Sequence, residues 1–300
     1  MWSKKPTVAS SCRWPFLFAC ELHFLSRDTI VTRRLLPISG PACLALAVSV
    51  CPPLAQADDA INTDRPDTVE SSEVVGKGRF QVETSIASER NHADGVKTRT
   101  YTTPTLLRYG VADDWELRLE TDGGVWAKTT DDLTGVSQTD HGFSDVSLGV
   151  KWHMQDGDEA AGRPSMGWLL HADVPSGTQA FHGNSVRPSL RFVAEWDLPQ
   201  DWSLGVMPGV VYDKTDAGHR YTAGILAAVL GKQLSDQLRV FVEVAAQQIT
   251  ARGNGGSQVT FDTGVSYRLT PSVQIDFAVN QALNSSTPDF TWTSGLSIKF

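Results

Sequence analysis

The chain has 300 residues, 41% of them hydrophobic, and a formal net charge of −8. That acidity argues against nucleic acid as a partner, because a polyanion is gripped by an excess of Lys and Arg. After residue 57 no run of eighteen apolar residues occurs, which excludes helical membrane spans there.

The first 57 residues read differently from the rest. Arg33 and Arg34 precede an apolar run from Leu35 to Cys51, broken by Pro37 and Pro41, and Ala55-Gln56-Ala57 follows. Charged, apolar and small residues in that order mark a secretory signal peptide, with cleavage expected after Ala57. The residues upstream lack clear periodicity, and translation is expected to begin near Val31; an unusually long signal is the alternative. Cys51 follows Val50 where a lipoprotein needs a small residue, so no lipid anchor is expected. All four cysteines (Cys12, Cys20, Cys43 and Cys51) lie in this leader, and the mature chain must hold together without disulfides. Cleavage removes six Lys+Arg and two Asp+Glu, leaving 20 against 32 and a net charge of −12.

Residues 58–78 are polar, interrupted by Pro66 and not strand-like. From Gly78 onward the dominant signal is alternation with period two, as in Trp115-Glu116-Leu117-Arg118-Leu119-Glu120 and Leu238-Arg239-Val240-Phe241-Val242-Glu243-Val244. Alternation puts the apolar and polar side chains on opposite faces of a strand. Twelve strands are expected: 79–89, 99–109, 115–121, 143–152, 165–174, 188–196, 202–212, 220–230, 237–249, 258–267, 272–280 and 290–300. No helical pattern of ten residues intervenes.

The connections alternate as well. Gly110–Asp114, Asp197–Asp201, Gly231–Asp236 and Arg268–Pro271 are short, whereas 122–142, 175–187 and 281–289 are long and rich in Gly, Asp, Asn, Ser and Thr. Link 153–164 departs from the rule by being long where a short one is due. Tyr109, Trp115, Trp152, Trp196, Trp202 and Tyr267 flank the short turns on the apolar parity, where amphipathic rings suit a membrane boundary. The chain ends on Phe290-Thr-Trp292-Thr-Ser-Gly-Leu296-Ser-Ile298-Lys-Phe300. This resembles the C-terminal signature read by the outer-membrane barrel-assembly machinery. An even number of strands near ten residues, short turns at one end and long loops at the other define a transmembrane, antiparallel, up-and-down β-barrel. The expectation is an all-β barrel over residues 79–300 in the outer membrane of a Gram-negative bacterium, with both termini in the periplasm.

Several blocks carry a family resemblance. They are Thr63-Asp64-Arg65-Pro66-Asp67-Thr68-Val69-Glu70-Ser71 and Gly76-Lys77-Gly78-Arg79-Phe80-Gln81-Val82-Glu83, then Leu107-Arg108-Tyr109-Gly110 with Glu116-Leu117-Arg118. Phe143-Ser144-Asp145-Val146 with Gly149-Val150-Lys151-Trp152, and Val174-Pro175-Ser176-Gly177, complete the set. Together they resemble the "MetA-pathway of phenol degradation" family of outer-membrane transporters, with Ser144 standing where Gly is expected. The resemblance covers the mature chain and implies a barrel that transports. The family's name implies aromatic compounds, and the substrate itself is left open. The expected function is passive diffusion of small solutes, aromatic or otherwise hydrophobic ones among them.

If the apolar parity faces lipid, the lumen receives Glu83, Arg108, Glu116, Arg118, Glu120, Lys151, His171, Arg191, Glu195, Arg239, Glu243, Asp262 and Asp276. A lipid-facing Arg or Lys at mid-bilayer would cost about 2–4 kcal/mol. These charges either satisfy one another as filling or select permeants, with Arg118, Arg191 and Arg239 facing Glu116, Glu195 and Glu243 as a ladder. Asp64, Arg65 and Asp67 are expected in a partial plug, with Arg65 bonded to a lumen carboxylate; a disordered tail is the competing reading.

A non-conducting structural or surface barrel is the alternative function. A phospholipase-like enzyme would need Ser, His and Asn within hydrogen-bond reach; the nearest candidate is Phe181-His182-Gly183-Asn184-Ser185, whose order departs from that pattern. The mature histidines His92, His141, His153, His171, His182 and His219 lack structural-zinc spacing, so neither metal nor cofactor is expected. The expected partners are outer-membrane lipid, a small-molecule permeant and, through Phe300, the assembly machinery.

Overall fold

The computed structural model describes residues 60–215 and 217–300. The expected signal peptide lies outside the described residues. Fifteen hydrogen-bonded segments form the wall: β1 (Phe80–Ala93), β2 (Val96–Thr102), β3 (Thr105–Gly110), β4 (Trp115–Thr121), β5 (Gly124–Asp131), β6 (Ser137–Phe143), β7 (Val146–Gln155), β8 (Ser165–Val174), β9 (Arg187–Leu198), β10 (Trp202–Lys214), β11 (Arg220–Gln233), β12 (Leu238–Ile249), β13 (Gln258–Thr270), β14 (Val273–Ala282) and β15 (Phe290–Lys299). One turn of 3-10 helix, Arg252–Asn254, sits in a loop.

These segments make twelve wall strands. β3 continues β2 past Thr103-Pro104, β5 continues β4 past Asp122-Gly123, and β7 continues β6 past Ser144-Asp145. Pro104 lacks an N–H, and it interrupts its ladder as expected of proline. Its carbonyl still accepts the Ser85 N–H at 2.9 Å. Every neighbouring pair is antiparallel, and β1 pairs with β15 over ten residues from Gln81↔Lys299 to Arg90↔Phe290, which closes the barrel. Phe300 completes that seam: its N–H donates to the Phe80 carbonyl at 2.8 Å and the two rings lie 6.2 Å apart. Closure removes the free sheet edge that hydrocarbon does not tolerate. The β9–β10 ladder lapses only at Met207 and Pro208, where proline has no N–H to give.

Two expected links are strand instead. Residues 90–98 continue β1 and β2 into a hairpin closed at Asp94 and Gly95, whose φ values of 53° and 75° fit a type I′ turn. Within 122–142, expected as a loop, β5 and β6 pair from Gly124↔Phe143 to Thr130↔Ser137. Both hairpins stand at the long-loop rim, where the apolar alternation fades. The exceptional link shrinks to 156–164, with a bridge between Asp158 and Arg163.

The outer face is apolar and exposed, carrying Ile86, Leu117, Leu119, Leu148, Leu170, Leu226, Val242, Val244, Phe261, Ile275 and Phe277. The inner face holds the most buried charges: Arg108, Lys151, Glu83, Glu116 and Glu243 are each at most 2% exposed. This inversion of a soluble protein is what lipid as solvent demands.

Candidate functional site: the lumen and its inner segment

Residues 60–78 run through the lumen, and the wall carboxylates hold their backbone. Glu83 accepts the Asp64 N–H at 3.0 Å, and Glu243 accepts the N–H groups of Thr68 and Val69 at 2.8 Å each. Glu195 accepts from Ser72 N and Oγ at 2.6 Å, and Glu116 accepts from Val75 N at 3.0 Å. Arg108 donates in the other direction, to the carbonyls of Asn62 (3.1 Å) and Glu73 (2.8 Å). A chain that is neither helix nor strand thus has its polar groups paired in a place with little water.

The segment's side chains add a cluster of charge. Asp64 lies 2.5 Å from Arg118, 2.8 Å from Lys151 and 3.4 Å from Arg108. Burial alone would push the Asp64 carboxyl up, but these three cations outweigh it and hold it well below the usual carboxylate range. Glu70 is 2.5 Å from both Arg118 and Arg191. Burial raises it as well, and the two guanidiniums hold it down at about 2. Arg65 meets Asp276 at 3.3 Å, and Asp67 meets Arg239 at 2.8 Å.

Glycine makes room for two of these pairs. A Cβ on Gly295 would fall 2.7 Å from the Asp276 carboxylate and 2.9 Å from Arg65 Nε, and one on Gly231 would lie 3.0 Å from Arg239. Val69 supplies an apolar anchor: it is 4% exposed within a lumen-facing cluster that includes Leu169, Val193, Met207, Val229 and Phe241. Burying a valine side chain contributes about 1.5–3 kcal/mol.

All thirteen charged or histidine residues expected in the lumen lie on the inner parity, but the ladder does not form as expected. Glu116 does meet Arg118, at 2.9 Å, two residues along the strand. Arg191 reaches Glu70 rather than Glu195, and Arg239 reaches Asp67 rather than Glu243. The reason is spacing, since residues four apart on one strand are separated by about 13 Å. Glu120 and His171 stand apart with each other, 3.5 Å from Oε2 to Nδ1. Asp262 accepts from Thr260 at 3.0 Å and lies opposite Glu243.

The segment divides the lumen in two. Toward the long loops is a cavity of ≈ 460 Å³ bordered by Glu89, Glu120, Asp173, Arg187, Arg191 and Gln247. Toward the termini is another of ≈ 480 Å³ bordered by Glu195, Asp197, Ser203, Gln237 and Arg268. Arg65 and Asp67 border both.

Over the long-loop mouth, residues 175–186 fold inward. The Asp145 carboxylate accepts the N–H groups of Ser176 (2.9 Å), Gly177 (2.8 Å) and Gly183 (2.7 Å). Phe181, 2% exposed, packs on Val125 and Ala127. In this loop His182 turns back on its own backbone, with Nδ1 2.9 Å from the Gly183 carbonyl.

The six expected girdle rings sit on the outer face at the short-turn end. Trp115 and Trp152 stack at 5.7 Å with planes 11° apart, and Lys232 lies 5.5 Å from the Trp202 ring. Tyr267 donates to Gln237 at 2.9 Å. Trp168 and Phe192, in contact at 4.8 Å, extend the row across β8 and β9. Among the described residues, Glu73, His153 and Asp156 bring ligand-type atoms within 4.8 Å of one another. Sequence spacing could not show this trio, because Glu73 comes from the inner segment; His153 Nε2 already meets Asp156 at 2.9 Å.

A closed twelve-strand barrel with a lipid-facing apolar band, an aromatic rim and a charged interior defines an outer-membrane β-barrel protein. Residues 63–300 match the family described as "Putative MetA-pathway of phenol degradation", and the chain belongs to it. Among solved structures it is similar to the COG4313 outer membrane channel from Pseudomonas putida F1. The two are 13% identical, the match covers 79% of this chain and 99% of that one, and the TM-score is 0.54. The β domain of the Bordetella autotransporter Brka is 14% identical over 75% of this chain and 100% of that one, with a TM-score of 0.46. No curated protein matches the sequence.

Proposed function

We propose that this protein is a passive channel for small solutes across the outer membrane, and that residues 60–78 form its gate. The observation that carries the reading is the pair of cavities, one toward each mouth, with Arg65 and Asp67 bordering both. A barrel built only as a scaffold has no need of vestibules facing both compartments. The gate opens where the Arg65–Asp276 and Asp67–Arg239 pairs part, joining the vestibules. Membership of a family named for phenol degradation supports small aromatic permeants. Phe300, at the closing seam, is the residue offered to the assembly machinery.

The test is solute flux into liposomes carrying the folded mature chain, with neutral, cationic, anionic and aromatic solutes in a size series. Deletion of residues 58–74 is expected to raise flux for all classes. Absence of flux from both forms, with folding and insertion verified, would replace the channel with a sealed structural or surface barrel.

A further inference from the structure

The outer face of the barrel carries a second arrangement, at the long-loop end. There β1, β2 and β5 lie side by side, and the registers Arg90↔Arg99 and Arg99↔Lys128 place three cations directly opposite one another. All three are exposed, on the same parity as the lipid-facing Ile86 and Trp126. Adjacent strands are about 4.8 Å apart, so the three cations occupy a strip about 10 Å wide. Like charges in such positions destabilise a sheet unless a counter-charge is supplied.

One row higher the sheet supplies its own. His92 and Lys97 both grip Asp132, at 2.7 and 2.8 Å, and Asp289 takes the His92 N–H. The Arg90–Arg99–Lys128 row has no equivalent: among the described residues no carboxylate comes within 4.0 Å of their charged nitrogens. The Arg99 guanidinium instead lies 5.9 Å from the centre of the Tyr101 ring.

The row directly below is aromatic. Trp292, Ser88, Tyr101, Trp126 and His141 follow one another across β15, β1, β2, β5 and β6. Rings of this kind mark the headgroup level. From Phe80, at the opposite rim, Arg90 is ten residues along β1. That is about 33 Å of tilted strand or about 25 Å of height, matching the apolar band of such barrels. The unpaired cations therefore stand at the outer headgroups, not in hydrocarbon and not in bulk water.

We propose that Arg90, Arg99 and Lys128 form a binding site for the phosphoryl groups of a phosphorylated glycolipid in the outer leaflet. Two guanidinium forks grip phosphate oxygens in pairs, and the Lys128 ammonium adds a compact third charge. The acyl chains run down the wall below Tyr101 and Trp126.

The experiment is native mass spectrometry of the detergent-solubilised barrel titrated with a bisphosphorylated lipid A, its dephosphorylated counterpart and inorganic phosphate. The wild type is expected to prefer the bisphosphorylated lipid at least about ten-fold. The triple variant Arg90→Gln/Arg99→Gln/Lys128→Gln is expected to lose that preference, while Lys97→Gln keeps it. Heat-modifiable gel mobility verifies closure of each barrel; should the triple variant fail to close, Arg99→Gln alone, expected to lose about three-fold, decides the question. Undiminished preference in the triple variant, or equal binding of the dephosphorylated lipid, overturns the site. Displacement of the lipid by equimolar inorganic phosphate overturns the lipid assignment in favour of a free-anion site.

Discussion

Arg65 Nη2 lies 3.3 Å from Asp276 Oδ1, joining the inner segment to β14 across 211 positions of sequence. The carboxylate side chain is wholly buried and the guanidinium is 16% exposed. Removing one partner of a buried pair strands the other charge, at a cost of about 3–5 kcal/mol. Arg65→Ala is therefore expected to lower thermal stability and raise single-channel conductance in planar bilayers. The double variant Arg65→Ala/Asp276→Ala should recover the stability while keeping the conductance. A double variant as unstable as the single one would show that the pair is not what holds this point.

Gly295 offers a test of the same contact from the wall side. A Cβ there meets both Asp276 oxygens and Arg65. Gly295→Val is expected to displace Arg65 and raise conductance without removing any charge. Conductance equal to that of the wild type would place the constriction elsewhere.

Arg191 and Arg239 each bind an acidic residue of the segment, so substituting them acts on gate and selectivity together. Arg191→Ala and Arg239→Ala should each raise conductance and shift the permeability ratio toward cations, since Asp67 loses the Arg239 guanidinium and Glu70 keeps only Arg118 of its two. Reversal potentials in a salt gradient measure this. An unchanged ratio in both variants removes the selectivity role from these arginines.

Acid should weaken the segment's hold, and the sign follows from Glu70. Its folded-state pKa, about 2, lies below the ordinary value of 4.5. A depressed carboxyl contributes stability that is fully present above pH 4.5 and is lost as pH falls toward 2. Protease cleavage within 60–78, sampled by brief exposure to pepsin, should therefore increase across that window. Glu70→Gln should already be cleavable at the upper end of it.

Phe181 and Asp145 fasten the inward-folded loop. Phe181→Ala empties a buried site, a change that costs about 3 kcal/mol where the surroundings are rigid. Hydrogen exchange at the amides of Ser176, Gly177 and Gly183 should quicken in Asp145→Ala, with amides in β8 and β9 unaffected. Unaltered exchange at the three amides would mean that the loop keeps its shape without the carboxylate.

The strands were legible because lipid enforces alternation: Leu117 and Leu119 must face outward, and Glu116 and Arg118 inward. The signal failed where the lipid ends. Lys128, Thr129 and Thr130 in β5, and Gln138, Thr139 and Asp140 in β6, are strand by pairing with β2 and with each other, and their composition reads as loop. Glu83, Glu195 and Glu243 lie on the inner parity, and parity says nothing of their partners. Those partners are backbone N–H groups of a distant segment, and an N–H looks the same at every residue. Val69 was obscured in the same way, because its apolar seat around Leu169 and Val193 occupies the parity expected to be polar.

The seam between β1 and β15 has a consequence for biogenesis. β1 is the wall strand directly joined to the inner segment, and its partner β15 is the last in the chain. The ten-residue seam is an edge that the first and last strands of the wall must bring together. Once it is zipped, the inner segment, with Asp64, Arg65 and Glu70 along it, would have to re-enter through a charged mouth. Threading before zipping avoids that barrier. The nascent barrel is then a clasp that shuts around its own thread, and a tail arriving late would be left outside a finished, permanently leaky wall.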